Sequence, residues 1–124
     1  MRLNVGLLGG GSWGTTVAAL ISRNAPVMLW ARDAQTVHEI NTDRQNSRYL
    51  AGYTLPATMR ATADMGEAVR GADVLVMGVP SQNFRSVLMD VRQHIRPWVP
   101  VISLTKGFEL DTGKRMTEVI MEIL

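Results

Sequence analysis

The chain contains no cysteine in its 124 residues. Disulfides, thiolate metal sites and cysteine nucleophiles are excluded together, and the redox compartment is left open. Histidine is scarce as well. His38 and His94 fall in helix-like segments without matching ligands, so neither is assigned a metal or a catalytic role. No apolar run approaches the length of a membrane span. Arg2 followed by the run Leu3–Leu8 has the outline of a secretory leader, but the run is too short and ends in a turn with its own structural logic. Charge of one sign never gathers. The 13 basic and 11 acidic residues are spread along the chain for a net charge of +2. No nucleic-acid signature accompanies them, so nucleic acid is set aside as a partner. What remains is ordinary for a globular domain: 46% hydrophobic residues, and enough length to bury one real core. The eight methionines read as core filler rather than as a soft-metal site.

Glycine is concentrated near the N-terminus. Gly9-Gly10-Gly11-Ser12-Trp13-Gly14 fits Gly-x-Gly-x-x-Gly. Such a match alone is weak, because glycine-rich turns are common; its surroundings make it informative. Before it runs Leu3–Leu8, apolar enough for a buried strand, and after it Thr15–Ile21, compatible with a helix. A strand that turns tightly into a helix aims unpaired N–H groups and a positive dipole end at one point, which suits a pyrophosphate. Gly9 permits the turn, Gly11 lets the backbone approach the phosphate, and Gly14 lets the helix pack close to the strand. A dinucleotide-binding domain of this kind points to the cytoplasm.

The rest of the chain alternates. Val27–Ala31 is a second apolar run, and Asp33 can cap a helix carrying Val37 and Ile40 on one face. Residues 44–58 read as a loop, followed by a brief strand at Met59–Thr62. Asp64 and Glu67 resemble a capping box, and Gly71 is a suitable stop for that short helix. Val74–Val79 is a clear strand; Pro80-Ser81 ends it, with Ser81 as the cap of the next helix. Phe84, Val87, Leu88, Val91 and Ile95 share one helical face, and Pro97 stops that helix. Val99–Leu104 is a further strand, and Met116, Val119, Ile120, Ile123 and Leu124 form a last helical stripe. Apolar strands joined by helices predict an α/β fold, a doubly wound parallel sheet of the Rossmann type. The final stripe reads as needing a partner, so residues 1–124 are expected to be the dinucleotide-binding, N-terminal portion of a longer protein.

In open parallel sheets ligands sit beyond the carboxyl ends of the strands. Ser12 and Trp13, Arg32 and Asp33, Pro80 and Ser81, and Thr105-Lys106-Gly107 all follow strands and would meet in one crevice. Asp33 is favoured as a helix cap. Arg32 is then available to a 2′-phosphate, or to stacking on adenine, so NADP(H) is preferred and NAD(H) remains possible. Lys106 is the only lysine besides Lys114, and can hold a phosphate or polarise a carbonyl undergoing reduction. For Trp13, packing with Val17 and Leu20 is favoured over shielding a cofactor.

Taken in order, these stretches resemble a known family. Gly9 to Thr15, Leu29-Trp30-Ala31-Arg32-Asp33, Tyr49-Leu50 followed by Leu55-Pro56, Val79-Pro80-Ser81, and Thr105-Lys106-Gly107 with Glu109 and Thr112-Gly113 are together similar to the bacterial NAD(P)-dependent glycerol-3-phosphate dehydrogenases. The resemblance runs from about residue 3 to the end of the chain. Gly9-Gly10-Gly11 departs from the commoner Gly-Ala-Gly, a change the turn is expected to tolerate. The resemblance implies reduction of dihydroxyacetone phosphate to sn-glycerol 3-phosphate, reversibly, for glycerophospholipid synthesis. It implies that Ser12 and Trp13 contact the cofactor phosphates, Arg32 its adenosine 2′ side, and Tyr49 the adenosine. It further implies that Pro80 borders the nicotinamide and that Lys106 touches cofactor and substrate. The family's general acid/base lysine and phosphate ligands lie in a helical C-terminal domain, so no catalytic acid is expected in this sequence; the full-length protein would be a homodimer. Two alternatives stand beside this reading: a reductase of the 6-phosphogluconate or ketopantoate type, against which Thr105-Lys106-Gly107 argues, and a nucleotide-binding module without catalysis.

Overall fold

A computed structural model of the chain describes residues 3–124; Arg2, part of the leader outline, lies outside them. Five parallel strands alternate with helices: β1 (Val5–Leu8), α1 (Ser12–Ile21), β2 (Val27–Trp30), α2 (Ala34–Asp43), β3 (Met59–Thr62), α3 (Met65–Arg70), β4 (Val74–Met77), α4 (Ser81–Val91), β5 (Val101–Ser103) and α5 (Met116–Ile123). A 3₁₀ turn, Arg92–His94, follows α4. The sheet order is β3-β2-β1-β4-β5, with every pairing parallel. Val5 is in register with Val27 on one side and Val74 on the other. The chain thus steps outward through β2 and β3, then returns to the far side of β1. The reversal leaves a crevice beyond the carboxyl ends of β1 and β4. No helix among the described residues is long and apolar enough to cross a membrane.

Both faces of the sheet are covered, which is why its central strands β1, β2 and β4 are apolar without alternation. Successive side chains point to opposite faces. Leu7, Leu29 and Val76 pack in one core with Ala18 of α1 and Ile40 of α2. Leu8, Trp30 and Met77 pack in the other with α3, α4 and α5, through Val69, Phe84, Val87, Leu88 and Val119. A fully buried side chain such as Phe84 or Leu88 contributes roughly 1.5–3 kcal/mol over its exposed state. The sheet has two free edges. On β3 the exposed residue is Arg60; on β5 it is Ile102.

Several local expectations are corrected. Ser81 is the first helical residue of α4, not its cap; Pro80 holds the cap position, and no side chain caps that end. Proline pre-sets an extended backbone and needs no hydroxyl to start a helix. Pro97 does not stop α4, which ends at Val91, with the 3₁₀ turn and Ile95 beyond it. Asp64 accepts from the Gly66 N–H at 2.9 Å, but Glu67 makes no return bond among the described residues, so the capping box is half-formed. Gly71, by contrast, closes α3 as expected, at φ −94°, a conformation open to any residue. The stripe on α5 is satisfied within the chain: Met116 and Val119 are buried, and Ile120 and Ile123 pack against the same core. Only Leu124 stays exposed.

Candidate cofactor-binding site

The turn between β1 and α1 is built on close approach. Gly9 has φ +129°, and a Cβ there would lie 2.5 Å from the Gly78 carbonyl oxygen. A Cβ on Gly14 would lie 2.0 Å from the Gly9 carbonyl oxygen. Neither position accepts a side chain. Gly11 is different, since a Cβ there meets no protein atom within 4 Å and would stand in the open crevice. The α1 ladder begins with Thr15 N–H donating to the Gly11 carbonyl at 2.9 Å, and no side chain caps the helix. The N–H groups of Ser12, Trp13 and Gly14 consequently have no acceptor inside the helix. A concave backbone, free donors and a dipole end at one point form the cradle a pyrophosphate fits.

The crevice has a volume of about 900 Å³, in the range of small-molecule sites. It gathers residues from the ends of four strands. Gly9, Gly11, Ser12, Trp13 and Gly14 form its floor, Arg32 and Tyr49 one end, and Pro80 and Lys106 the other. Of the residues that the sequence placed in one crevice, all lie on its walls except Gly107. Trp13 is a correction to the packing role favoured for it. It is 57% exposed, as is much of Leu20, and its ring faces the crevice rather than a core. The reason is which face α1 buries: Gly14, Thr15 and Ala18 point into the fold, so the face shared by Trp13 and Leu20 is left outward.

At the Arg32 end, Asp33 caps α2, accepting from Gln35 N–H at 3.1 Å and the Thr36 hydroxyl at 3.1 Å. Those bonds, that from Gln35 foremost, hold its carboxyl below the usual carboxylate range. Arg48 reaches the same carboxylate at 3.6 Å and lies over the Tyr49 ring, 5.2 Å from its centroid. Arg32 lies over Trp30 at 5.8 Å. Arg48 is a crevice residue that reading the sequence missed; it sits in a loop without periodicity, and only its neighbour Tyr49 drew notice. Asn46, in the same loop, was missed too and is fully buried.

At the other end, Thr105 ties the loop after β5 to the end of β4 by donating to the Val79 carbonyl at 2.5 Å. Gly107, at φ +103°, turns the chain directly after Lys106. Lys106 is exposed and has no ion-pair partner among the described residues. Behind it, Glu109 accepts two bonds from Arg85 of α4, at 2.7 and 3.1 Å. The described residues contain no group of three His, Asp or Glu able to hold a metal ion.

Known proteins with this arrangement form a coherent set. A glycerol-3-phosphate dehydrogenase [NAD(P)+] of Sphingopyxis alaskensis is 70% identical over all 124 residues, which span 37% of its own length. One from Mycobacterium bovis is 52% identical over 95% of the chain and 35% of itself. The crystal structure of glycerol-3-phosphate dehydrogenase from Coxiella burnetii superposes with a TM-score of 0.91 at 29% identity, over 99% of this chain and 38% of that one. The chain therefore spans little more than a third of the relatives it matches. The family described as the NAD-dependent glycerol-3-phosphate dehydrogenase N-terminus matches residues 4–124, and with the glycine cradle and its facing loops in place, the chain belongs to that family.

Proposed function

We propose that the chain is the cofactor-binding half of an NAD(P)H-dependent reductase that converts dihydroxyacetone phosphate to sn-glycerol 3-phosphate, reversibly, for glycerophospholipid synthesis. The observation that carries this reading is the convergence of the glycine cradle, the Arg32–Asp33–Arg48 cluster and the free Lys106 on one crevice. The family match carries no support for a 6-phosphogluconate- or ketopantoate-type reductase or for a non-catalytic module. Residues 1–124 are the dinucleotide-binding domain. The remaining walls of the site, including the general acid, come from the family's helical C-terminal domain. The enzyme acts as a cytoplasmic homodimer on a phosphorylated small molecule, without nucleic acid.

NADP(H) is the preferred cofactor. A free carboxylate after β2 would accept from a ribose 2′-OH and repel a 2′-phosphate. Here Asp33 is committed to Gln35, Thr36 and Arg48, so its charge is largely answered. Arg32 and Arg48 leave two guanidinium groups facing that end of the crevice. The backbone N–H groups of Ser12, Trp13 and Gly14 hold the pyrophosphate, Trp13 shields it, and Tyr49 lies against the adenosine. Pro80 walls the nicotinamide end, where the bound cofactor supplies a hydride to the carbonyl carbon. Lys106 answers the negative charge that develops on the carbonyl oxygen. That oxygen takes its proton from the acid of the C-terminal domain.

Calorimetry on the chain with NADP⁺ and NAD⁺ tests the cofactor reading. Arg32→Ala should weaken NADP⁺ roughly ten-fold, about 1–2 kcal/mol for a partly screened pair, and NAD⁺ little. Equal weakening would mean that Arg32 stacks on adenine and leaves the 2′-phosphate alone. Followed by NADPH absorbance, the 124 residues should show no turnover of dihydroxyacetone phosphate; turnover would show that the acid lies within them.

A further inference from the structure

Asn46 lies in the loop between α2 and β3, yet its side chain is sealed from solvent and fully engaged. Its Nδ2 donates to the Gly10 carbonyl oxygen at 3.1 Å and to the Thr15 hydroxyl oxygen at 2.9 Å. Thr15 in turn donates to the Gly10 carbonyl at 3.3 Å. Its Oδ1 accepts from the Tyr49 N–H at 3.2 Å. The backbone closes the same loop, with Leu50 N–H donating to the Asn46 carbonyl at 2.8 Å. An amide whose donors and acceptor are satisfied in the interior cannot turn without leaving a buried polar group unpaired, so it is held rigid.

Its partners tie the glycine turn that floors the cofactor crevice to the loop that walls its Tyr49 end. Gly10 is the middle of the glycine turn, and Thr15 opens the α1 ladder. Tyr49, with Arg48 beside it, forms the adenosine-side wall. The loop that carries that wall has no regular structure between α2 and β3 beyond an isolated bridge from Asn46 to Leu50. Outside the loop, and among the described residues, Arg48 is held only by its 3.6 Å approach to Asp33.

We propose that Asn46 is a positioning residue for the dinucleotide: it locks the Arg48–Tyr49 wall to the glycine turn, so that the pyrophosphate and the adenosine meet groups already at the right separation. Pre-set separation raises affinity by removing the ordering cost at binding. The proposal rests on the NADP(H) reading above and adds the residue that joins its two halves.

The test is a double-substitution cycle. NADP⁺ affinity is measured for the chain, for Arg48→Ala, for Asn46→Ala and for the two combined. A variant that is merely less folded weakens every ligand by one factor and leaves the Arg48 effect intact. Positioning predicts that Arg48→Ala weakens NADP⁺ about ten-fold in the unsubstituted chain and less than about three-fold beside Asn46→Ala. The same Arg48 effect in both backgrounds, or no effect in either, overturns the proposal while the cofactor reading stands. No NADP⁺ binding by the unsubstituted chain overturns both. Should Asn46→Ala fail to fold, the Asn46 side-chain amide of the ¹⁵N-labelled unsubstituted chain supplies the answer. It should exchange slowly with solvent, and should shift when adenosine 2′,5′-bisphosphate is added and, separately, when inorganic pyrophosphate is added. Fast exchange, or a response to one probe alone, overturns the proposal.

Discussion

At the scale of single residues, the glycines of the first turn separate two jobs that one motif conceals. A methyl group added at Gly14 collides with the Gly9 carbonyl 2.0 Å away, whereas at Gly11 it meets nothing within 4 Å. Gly14→Ala should therefore lose the fold, and Gly11→Val should keep it and lose the cofactor. Circular dichroism and calorimetry on both variants check this; NADP⁺ binding by a folded Gly11→Val chain would move the pyrophosphate elsewhere. The motif was legible because glycine is the one residue whose absence of a side chain is itself the signal. Asn46 was not legible, because burial of a polar residue in an aperiodic loop leaves no pattern in neighbouring letters. Arg48 was hidden for the same reason. Gly10 is a subtler case: a Cβ there would sit 2.6 Å from the Ala31 Cβ, so the commoner alanine would require the chain just past β2 to give way.

At the scale of elements, strands were read more surely than the ends of helices. The central strands β1, β2 and β4 are short apolar runs covered on both faces, so composition alone announces them; the edge strands β3 and β5, with Arg60 and Ile102 exposed, carry a weaker signal. Helix ends depend on which groups cap them, and there the reading of Ser81 and Pro97 failed while Gly71 did close α3, because sequence shows a residue able to cap but not whether the backbone needs it. The loop from β5 to α5 shows how much side-chain bonding can do without regular structure. Arg85 of α4 grips Glu109 with two bonds and Glu122 of α5 with a third, and Lys114 reaches Glu122 at 2.5 Å. The Arg85 bond, then that from Lys114, holds the Glu122 carboxyl at about 2 instead of the ordinary 4.5. Glu109 is likewise lowered, chiefly by Arg85. Lowered folded-state values mean stability that is complete above the unfolded value and lost as pH falls through the folded one. Thermal melts should thus decline from near pH 4.5 toward pH 2. Glu122→Gln should shallow that decline while lowering the melting temperature at pH 7. An unchanged acid profile would show that the cluster is loose in solution.

At the scale of the whole molecule, the order β3-β2-β1-β4-β5 brings residues far apart in sequence to one crevice. That much follows from strand alternation and the handedness of crossovers. The free flank of β5 has a further consequence. Its outward backbone groups are unpaired by any strand among the described residues, and beside them stands Ile102, 48% exposed. The opposite flank carries Arg60, a charge that discourages a second molecule from adding itself as a sixth strand; the β5 flank carries no such guard. Protein stored as these 124 residues should accordingly grow into larger particles as its concentration rises, by strand-on-strand addition. Ile102→Lys should suppress that growth in light scattering while leaving the melting temperature nearly unchanged, since an exposed substitution shifts stability by about 0.5 kcal/mol or less. Growth undiminished in the variant would locate the stickiness on another surface. A solution of this chain is then limited by one unguarded three-residue edge, however well its interior is packed.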